Sequence, residues 1–161
     1  MRITTKEVVH EVDGQEMTFQ IRKMDALHGS YLMKFCAEKL LPVFNDVQKL
    51  FANDNEEGLS PEELEEIAKK RTDEVFTMLP KALANLSEEE LIGFEMKCLR
   101  TVDVKKPAGL QPVLIGNNFG VEELEDDIKT ILILCYEVVE FNMSGFFGEK
   151  GLGSLLPRRS T

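Results

Sequence analysis

The sequence predicts an α+β protein that is mainly α-helical: an N-terminal β-hairpin, about four or five helices, and a second short hairpin before a central, apolar C-terminal helix. Three observations lead to this fold class. Apolar and polar side chains alternate on both sides of an Asp-Gly pair near the start. Two Ser-x-x-Glu capping boxes open later segments that have helical periodicity. Near the end, apolar residues recur at steps of three and four in a predominantly apolar stretch.

The N-terminal hairpin is predicted from Asp13-Gly14, which separates two alternating runs. This pair is a strong hairpin signal because both turn residues tolerate a positive φ. Met17, Phe19 and Ile21 fall on one face of the second run. Since an isolated hairpin is only marginally stable, we expect this face to pack on the rest of the protein.

Three helices are predicted in the middle of the chain. Asp25 can cap the first of them, whose apolar pattern continues to Pro42 and beyond, so the helix must kink or restart there. Ser60 and Ser87 open the next two, because each is followed three residues later by a glutamate. Pro80 is expected to kink or end the helix that Ser60 opens.

A second hairpin and the last helix complete the predicted fold. Residues 101–104 and 111–115 are short β-type runs around a Lys-Lys-Pro-Ala-Gly segment, and residues 117–120 form a predicted turn. The helix that follows has apolar residues almost all round its middle, which is typical of a central helix covered by others. Its predicted buried stripe consists of Leu124, Ile128, Ile131, Leu132, Cys135, Val138 and Val139.

Glycine becomes frequent after residue 144, while large apolar residues persist. We therefore expect a single helical domain with an N-terminal hairpin over residues 1–144, and a flexible Gly/Phe-rich tail over residues 145–161. Apolar side chains in such a tail either fold back onto the core or contact a partner. The second possibility is a partner-binding hypothesis for Phe141, Phe146, Phe147, Leu152, Leu155 and Leu156.

The charge of the chain restricts the classes of partner. It has 29 acidic and 19 basic residues, a formal net charge of −10. Nucleic-acid binders usually carry a basic surface, so nucleic acid is not expected as a partner. A membrane is not expected either, because the longest apolar run, residues 131–136, is far shorter than the roughly 20 residues that span a bilayer. Basic proteins, and apolar clients that must be kept soluble, remain suitable partners.

Histidine and cysteine give little indication of catalysis. Asp25 and His28 lie one helical turn apart, a spacing that could serve a metal ion or a base but is more typical of a surface ion pair. Cys36, Cys98 and Cys135 are widely spaced, and we expect three reduced, buried thiols. A hydrolase that uses Cys36 or His28 is kept as an alternative hypothesis.

Carboxylates and glycines also lack the spacing of a cofactor site. The acidic runs over residues 62–66, 88–90 and 122–127 are each expected in a first helical turn, where the helix dipole favours anions. The glycine-rich segments follow a helix, whereas a phosphate-binding loop precedes one. The sequence therefore predicts no catalytic residue, no metal and no cofactor.

The order of elements and the closing residues of the chain are together distinctive. The hairpin leads into residues 24–27, kinked amphipathic helices follow, and then come the extended run 101–104 and the acidic run 122–127. The closing phrase consists of Val139, Phe141, Asn142, Phe146 and Phe147. Over nearly the full chain, this arrangement resembles the tail assembly chaperones of long-tailed bacteriophages. The basic pair Arg158-Arg159 departs from the pattern of that family.

This resemblance implies a function in virion assembly and no enzymatic activity. It implies that the protein binds the tape measure protein and helps to recruit the major tail protein while the tail tube assembles. It also implies that this takes place in the host cell cytoplasm and that the protein is absent from the finished virion. The alternative is a structural tail adaptor or completion protein that is retained in the virion. The sequence leaves the oligomeric state open.

Overall fold

The computed structural model describes residues 2–40 and 58–147, which divide into two compact units. The sheet unit contains the described residues of Met1–Leu32 and Ile92–Thr161, and the helical unit those of Met33–Leu91. The elements are β1 (Thr5–Val12), β2 (Gln15–Arg22), α1 (Ala26–Phe35), α2 (Pro61–Leu83), α3 (Glu88–Leu99), β3 (Val102–Lys106), β4 (Gly109–Pro112), β5 (Leu114–Ile115), β6 (Asn118–Phe119) and α4 (Ile128–Phe147). A π-helical turn, Cys36–Leu40, follows α1, and a 3-10 turn, Glu122–Leu124, precedes α4.

The two hairpins belong to one antiparallel sheet with the strand order β1-β2-β3-β4. Phe19 of β2 lies opposite Val104 of β3, and Ile21 lies opposite Val102. All four of these side chains are 0% exposed. The buried face of the sheet is therefore centred on the pairing of β2 with β3.

The predicted fold class, mainly α with a central C-terminal helix, is wrong. The hairpins join into one four-stranded sheet, and β5 and β6 form a further two-stranded sheet in place of the turn predicted there. Within the sheet unit, α4 packs against β1 and the 3-10 turn. The physical reason is that an antiparallel sheet with one apolar face needs a cover, and the broad apolar surface of α4 can provide it.

The local predictions for the first hairpin are confirmed. Asp13 and Gly14 both have positive φ, 51° and 75°, as a tight hairpin turn requires. On β2, Met17, Phe19 and Ile21 are 8%, 0% and 0% exposed, so they share the buried face. The alternation of the sequence therefore identified which side of this strand faces the interior.

The capping predictions for α2 and α3 are also confirmed. The Glu63 amide donates to Ser60 Oγ at 3.2 Å. At the start of α3 the box is reciprocal: the Glu90 amide donates to Ser87 Oγ and the Ser87 amide donates to Glu90 Oε1, both at 3.1 Å. Pro80 does not end α2, which continues for three residues beyond it.

The start of α4 differs from the prediction. The helix begins at Ile128, after the turn Glu122–Leu124, so the whole acidic run, residues 122–127, precedes it. Asp127 caps the helix by accepting hydrogen bonds from the Thr130 amide at 3.0 Å and from Thr130 Oγ1 at 2.8 Å. The predicted burial of Ile128 is wrong: it occupies the first helical position and is 75% exposed, whereas Leu134, two turns later, is 0% exposed.

Several predictions fall outside the described residues. These are the kink or restart at Pro42, the apolar pattern over residues 43–51, and the tail beyond residue 147. α4 itself runs to Phe147, three residues past the predicted boundary at residue 144. The division into a domain and a flexible tail stays a prediction. Across residues 2–40 and 58–147, no helix is long and apolar enough to cross a membrane.

Candidate functional site at the β2–α1 junction and α4

The junction between β2 and α1 is held by the C-terminal half of α4. The Lys23 ammonium group donates to the Phe141 carbonyl and lies 4.2 Å from the centroid of the Phe141 ring. The Met24 amide donates to Asn142 Oδ1 at 2.9 Å, and Asn142 Nδ2 donates to the Val138 carbonyl one turn earlier at 2.8 Å. The second bond orients the Asn142 amide toward the junction. Phe141 and Asn142 therefore position the end of β2 relative to α4.

The structure places the predicted partner-binding residues in different settings. Phe141 is only 7% exposed, and its ring lies against Lys23. Phe146 and Phe147 lie in the last turn of α4. The remaining predicted residues, Leu152, Leu155 and Leu156, lie outside the described residues. Partner binding by this set stays a prediction, and it forms part of the proposal below.

Lys23 is one of four cations around a cleft of about 290 Å³ in the sheet unit. This basic cleft is defined by Arg22, Lys23, Asp25, His28, Lys97 and Arg100. Partial burial, followed by the nearby charge of Arg2, lowers the pKa of Lys23. The cleft therefore concentrates positive charge in a chain whose formal net charge is −10.

Asp25 and His28 form a surface contact at the position of the predicted ion pair, and it is an ion pair when His28 is protonated. His28 Nδ1 lies 2.5 Å from Asp25 Oδ2, and the two side chains are 66% and 61% exposed. Asp25 Oδ1 also accepts hydrogen bonds from the amides of Leu27 and His28 at 3.0 and 2.9 Å. The His28 amide bond is the main cause that lowers the pKa of Asp25. Within the described ranges, no group of three or more His, Cys, Asp or Glu side chains could hold a metal ion.

The three cysteines are buried thiols outside any disulfide bond, which confirms the prediction for them. Burial raises the pKa of the Cys36 thiol to about 12. Because the thiolate is the nucleophile, a thiol with this pKa is poorly suited to attack a substrate at neutral pH. The geometry therefore does not favour the hydrolase hypothesis for Cys36.

A second cleft, of about 440 Å³, has the opposite charge. Its acidic lining is Asp13, Glu122, Glu123, Glu125 and Asp126. At its edge, Lys106 Nζ lies 3.2 Å from Glu123 Oε1. A backbone N–H hydrogen bond, followed by the bond from Lys106, lowers the pKa of Glu123. The acidic run before α4 thus gives one part of the sheet unit a strongly negative surface.

A family model described as phage tail assembly chaperone protein, TAC, matches residues 14–154 of the 161. The chain belongs to this family of tail assembly chaperones. The match confirms the resemblance inferred from the sequence, and it includes the basic cleft, the β2–α1 junction and α4. Comparisons with curated proteins and with solved structures give no match.

The sequence did not predict the basic cleft of this tail assembly chaperone. Two of its cations, Arg22 and Lys23, lie at the end of β2. The other two, Lys97 and Arg100, lie at the end of α3, far from β2 in the chain. The available signal was weak: Arg22-Lys23 at the end of a predicted strand, and Lys97 and Arg100 three residues apart on a helix. Basic residues near a helix C-terminus are ordinarily explained by the helix dipole, so this spacing alone does not indicate a site.

Proposed function

We propose that this protein binds the tape measure protein and helps to recruit the major tail protein while the tail tube assembles in the host cell cytoplasm. The observation that carries the proposal is the family match over residues 14–154, which makes the chain a phage tail assembly chaperone. A chaperone of this kind must bind an apolar client and keep the complex in solution until assembly proceeds.

The charge of the chain supports this role. A net charge of −10 makes complexes repel one another, which opposes aggregation of an apolar client. The acidic cleft also places carboxylates where they can meet basic groups of a tail protein. Both features act at long range and are weakened by salt.

The apolar contacts to the tape measure protein are proposed to come from the end of α4 and the residues after it. Phe146 and Phe147 are the anchors, with further contacts from Leu152, Leu155 and Leu156. Phe141 stands at the base of this segment, where its contact with Lys23 holds α4 in place. A client with repeated apolar helical faces suits an adaptable apolar segment better than it suits one shaped pocket.

The decisive experiment replaces both anchors, Phe146→Ala and Phe147→Ala, in the full chain. Affinity for the purified tape measure protein is measured by titration. Two buried Phe anchors contribute on the order of 2 kcal/mol each, and each 1.4 kcal/mol is about a factor of ten in affinity. Binding should therefore weaken by about a thousandfold, while the thermal unfolding midpoint stays close to that of the wild type.

The matched control replaces two apolar residues that are exposed elsewhere in the sheet unit. Ile115 and Ile128 are 60% and 75% exposed, so Ile115→Ala with Ile128→Ala should leave the affinity unchanged. Equal affinity of the Phe variant and the wild type would refute the role of Phe146 and Phe147. A further variant that ends after Phe147 tests the three leucines by the same titration.

The adaptor alternative predicts a different location of the protein after assembly. Mass spectrometry of purified virions should detect no copy of an assembly chaperone, whereas an adaptor or completion protein would be present in constant amount. Detection of the chain in mature particles, in proportion to the major tail protein, would contradict the proposed function.

A further inference from the structure

None of the residues that line the basic cleft is a proposed apolar contact, and the charge of the cleft is opposite to that of the chain as a whole. We propose that the basic cleft is the docking site for an acidic segment of the client protein that also carries apolar side chains, an inference that rests on the proposed function.

The cations of the cleft are largely without carboxylate partners in the described part of the chain. Arg22 is the exception, since its Nε donates to Asp103 Oδ2 at 3.1 Å and its Nη2 donates to the Arg100 carbonyl at 2.7 Å. The Asp103 side chain is 11% exposed, so this pair belongs partly to the interior. Arg22 is therefore positioned by its partners, and the positive charge of the other three cations remains available.

Neutral groups hold those three cations. Lys97 Nζ lies 3.3 Å from the centroid of the Tyr31 ring, and Arg100 Nη2 donates to Asn117 Oδ1 at 3.3 Å. Lys23 is held by the carbonyl and ring of α4 described above. Such contacts restrict the side chains without neutralising them. Because these side chains are preorganised, they lose little conformational entropy when an anion binds in the cleft.

The one carboxylate in the cleft does not cancel this charge. Asp25 is engaged by the first turn of α1, where its oxygens accept bonds from the amides of Leu27 and His28 and contact the His28 ring. Its charge is thereby directed to the start of the helix, where an anion is favoured. The four cations therefore outweigh Asp25, and the cleft attracts anions.

The residues beside the cleft favour a peptide as the occupant. Leu27 and Tyr31 are one turn apart on α1 and are 84% and 46% exposed, and the half-buried Met24 lines the cleft itself. An acidic side chain can enter the cleft while neighbouring apolar side chains lie on Leu27 and Tyr31. A nucleic acid would extend its phosphates over the rest of an acidic chain, which would repel them. An acidic, partly apolar protein segment fits both features.

The test uses the full-length protein and reverses two cations that have no carboxylate partner among the described residues: Lys97→Glu with Arg100→Glu. Arg22 is kept, because its loss would leave Asp103 without its partner. The probes are the purified tape measure protein and overlapping peptides of about 20 residues that cover its sequence. Wild-type protein should bind peptides rich in Asp, Glu and apolar residues, and the variant should bind them at least about tenfold more weakly. Its affinity should also depend less on salt.

The matched control makes the same change of charge at exposed positions away from the cleft. Lys105 and Lys129 are both exposed and do not line the cleft, so Lys105→Glu with Lys129→Glu tests general repulsion. Full affinity of this control supports the cleft, whereas an equal loss in both variants overturns it. The single variants Lys97→Gln and Arg100→Gln, with unfolding midpoints near that of the wild type, check that weaker binding is not caused by misfolding.

The remaining outcomes separate the cleft from the proposed function. If wild-type protein does not bind the tape measure protein at all, the proposed function fails and the cleft has no client. If wild type and the reversed variant bind the client and the acidic peptides equally, only the cleft proposal fails. Competition of a single-stranded DNA oligonucleotide with the acidic peptides, lost in the reversed variant, would assign the cleft to nucleic acid and overturn the proposal.

Discussion

The central strands β2 and β3 and the helix α4 bury apolar residues in two different ways. Four side chains in these strands are 0% exposed: Phe19 and Ile21 in β2, and Val102 and Val104 in β3. Within each strand, one residue separates the two. Because side chains on a strand alternate between its two faces, this spacing places the two residues of each strand on one face of that strand. The pairing of β2 with β3 then brings both pairs to the same face of the sheet. For β2 the sequence alone therefore predicted the buried face, whereas β3 buries Asp103 as well as Val102 and Val104.

In α4, apolar residues surround the middle of the helix, so composition does not identify the inward face. The predicted stripe included Val138, which is 0% exposed, but also Ile128, which is 75% exposed, and it left out Leu134, which is 0% exposed. The difference teaches that a periodic pattern specifies orientation, whereas uniform apolarity specifies only that a surface will be buried. Mutations in the two regions should show this contrast.

The largest effect is expected at the centre of the sheet. Phe19→Ala removes a fully buried ring that lies opposite Val8 and Val104, and should lower the free energy of unfolding by about 3–5 kcal/mol. Urea unfolding followed by circular dichroism measures the loss. The matched change Val9→Ala, at a residue that is 49% exposed, should cost less than about 1 kcal/mol. Similar losses in the two variants would contradict the assigned face of the sheet.

The next effect compares two positions within α4. Leu134→Ala should cost about 2–5 kcal/mol because it leaves a cavity in a site that is 0% exposed. Ile128→Ala should change the stability by less than about 0.5 kcal/mol, since this side chain is mostly in solvent. The same unfolding experiment measures both. A loss at Ile128 as large as that at Leu134 would show that the helix faces the sheet with a different side.

The smallest effect is expected at the start of α4. Asp127→Ala removes the cap on the amide and hydroxyl of Thr130, and should cost about 1 kcal/mol. Asp127→Asn keeps a capping oxygen and serves as the control, with a loss of only a few tenths of a kcal/mol. Thermal unfolding of the two variants separates capping from charge. If both lose stability equally, the charge of Asp127, and not its cap, stabilises the helix start.

The family resemblance was predictable from the sequence, but the placement of its closing residues was not. Phe141 and Asn142 stood out as part of the closing phrase, and Phe141 was assigned to partner contact on that basis. In the structure they meet Lys23 and Met24, which precede Phe141 and Asn142 by 118 residues. A local sequence pattern cannot predict a contact between residues that are this far apart in the chain. The basic cleft was missed for the same reason, since it forms only when β2 and the end of α3 meet.

The sequence by itself determined those features that depend on a few neighbouring residues. The turn at Asp13-Gly14, the capping at Ser60 and Ser87, and the buried face of β2 all follow from backbone preference, local hydrogen bonds or alternation. Only the tertiary structure decided that the hairpins form one sheet, that α4 packs against β1, and that Arg22 meets Asp103 across 81 residues. These features require segments that are distant in the chain to meet. Which segments meet depends on the packing of the whole core, whereas each local pattern specifies only a surface that must be buried.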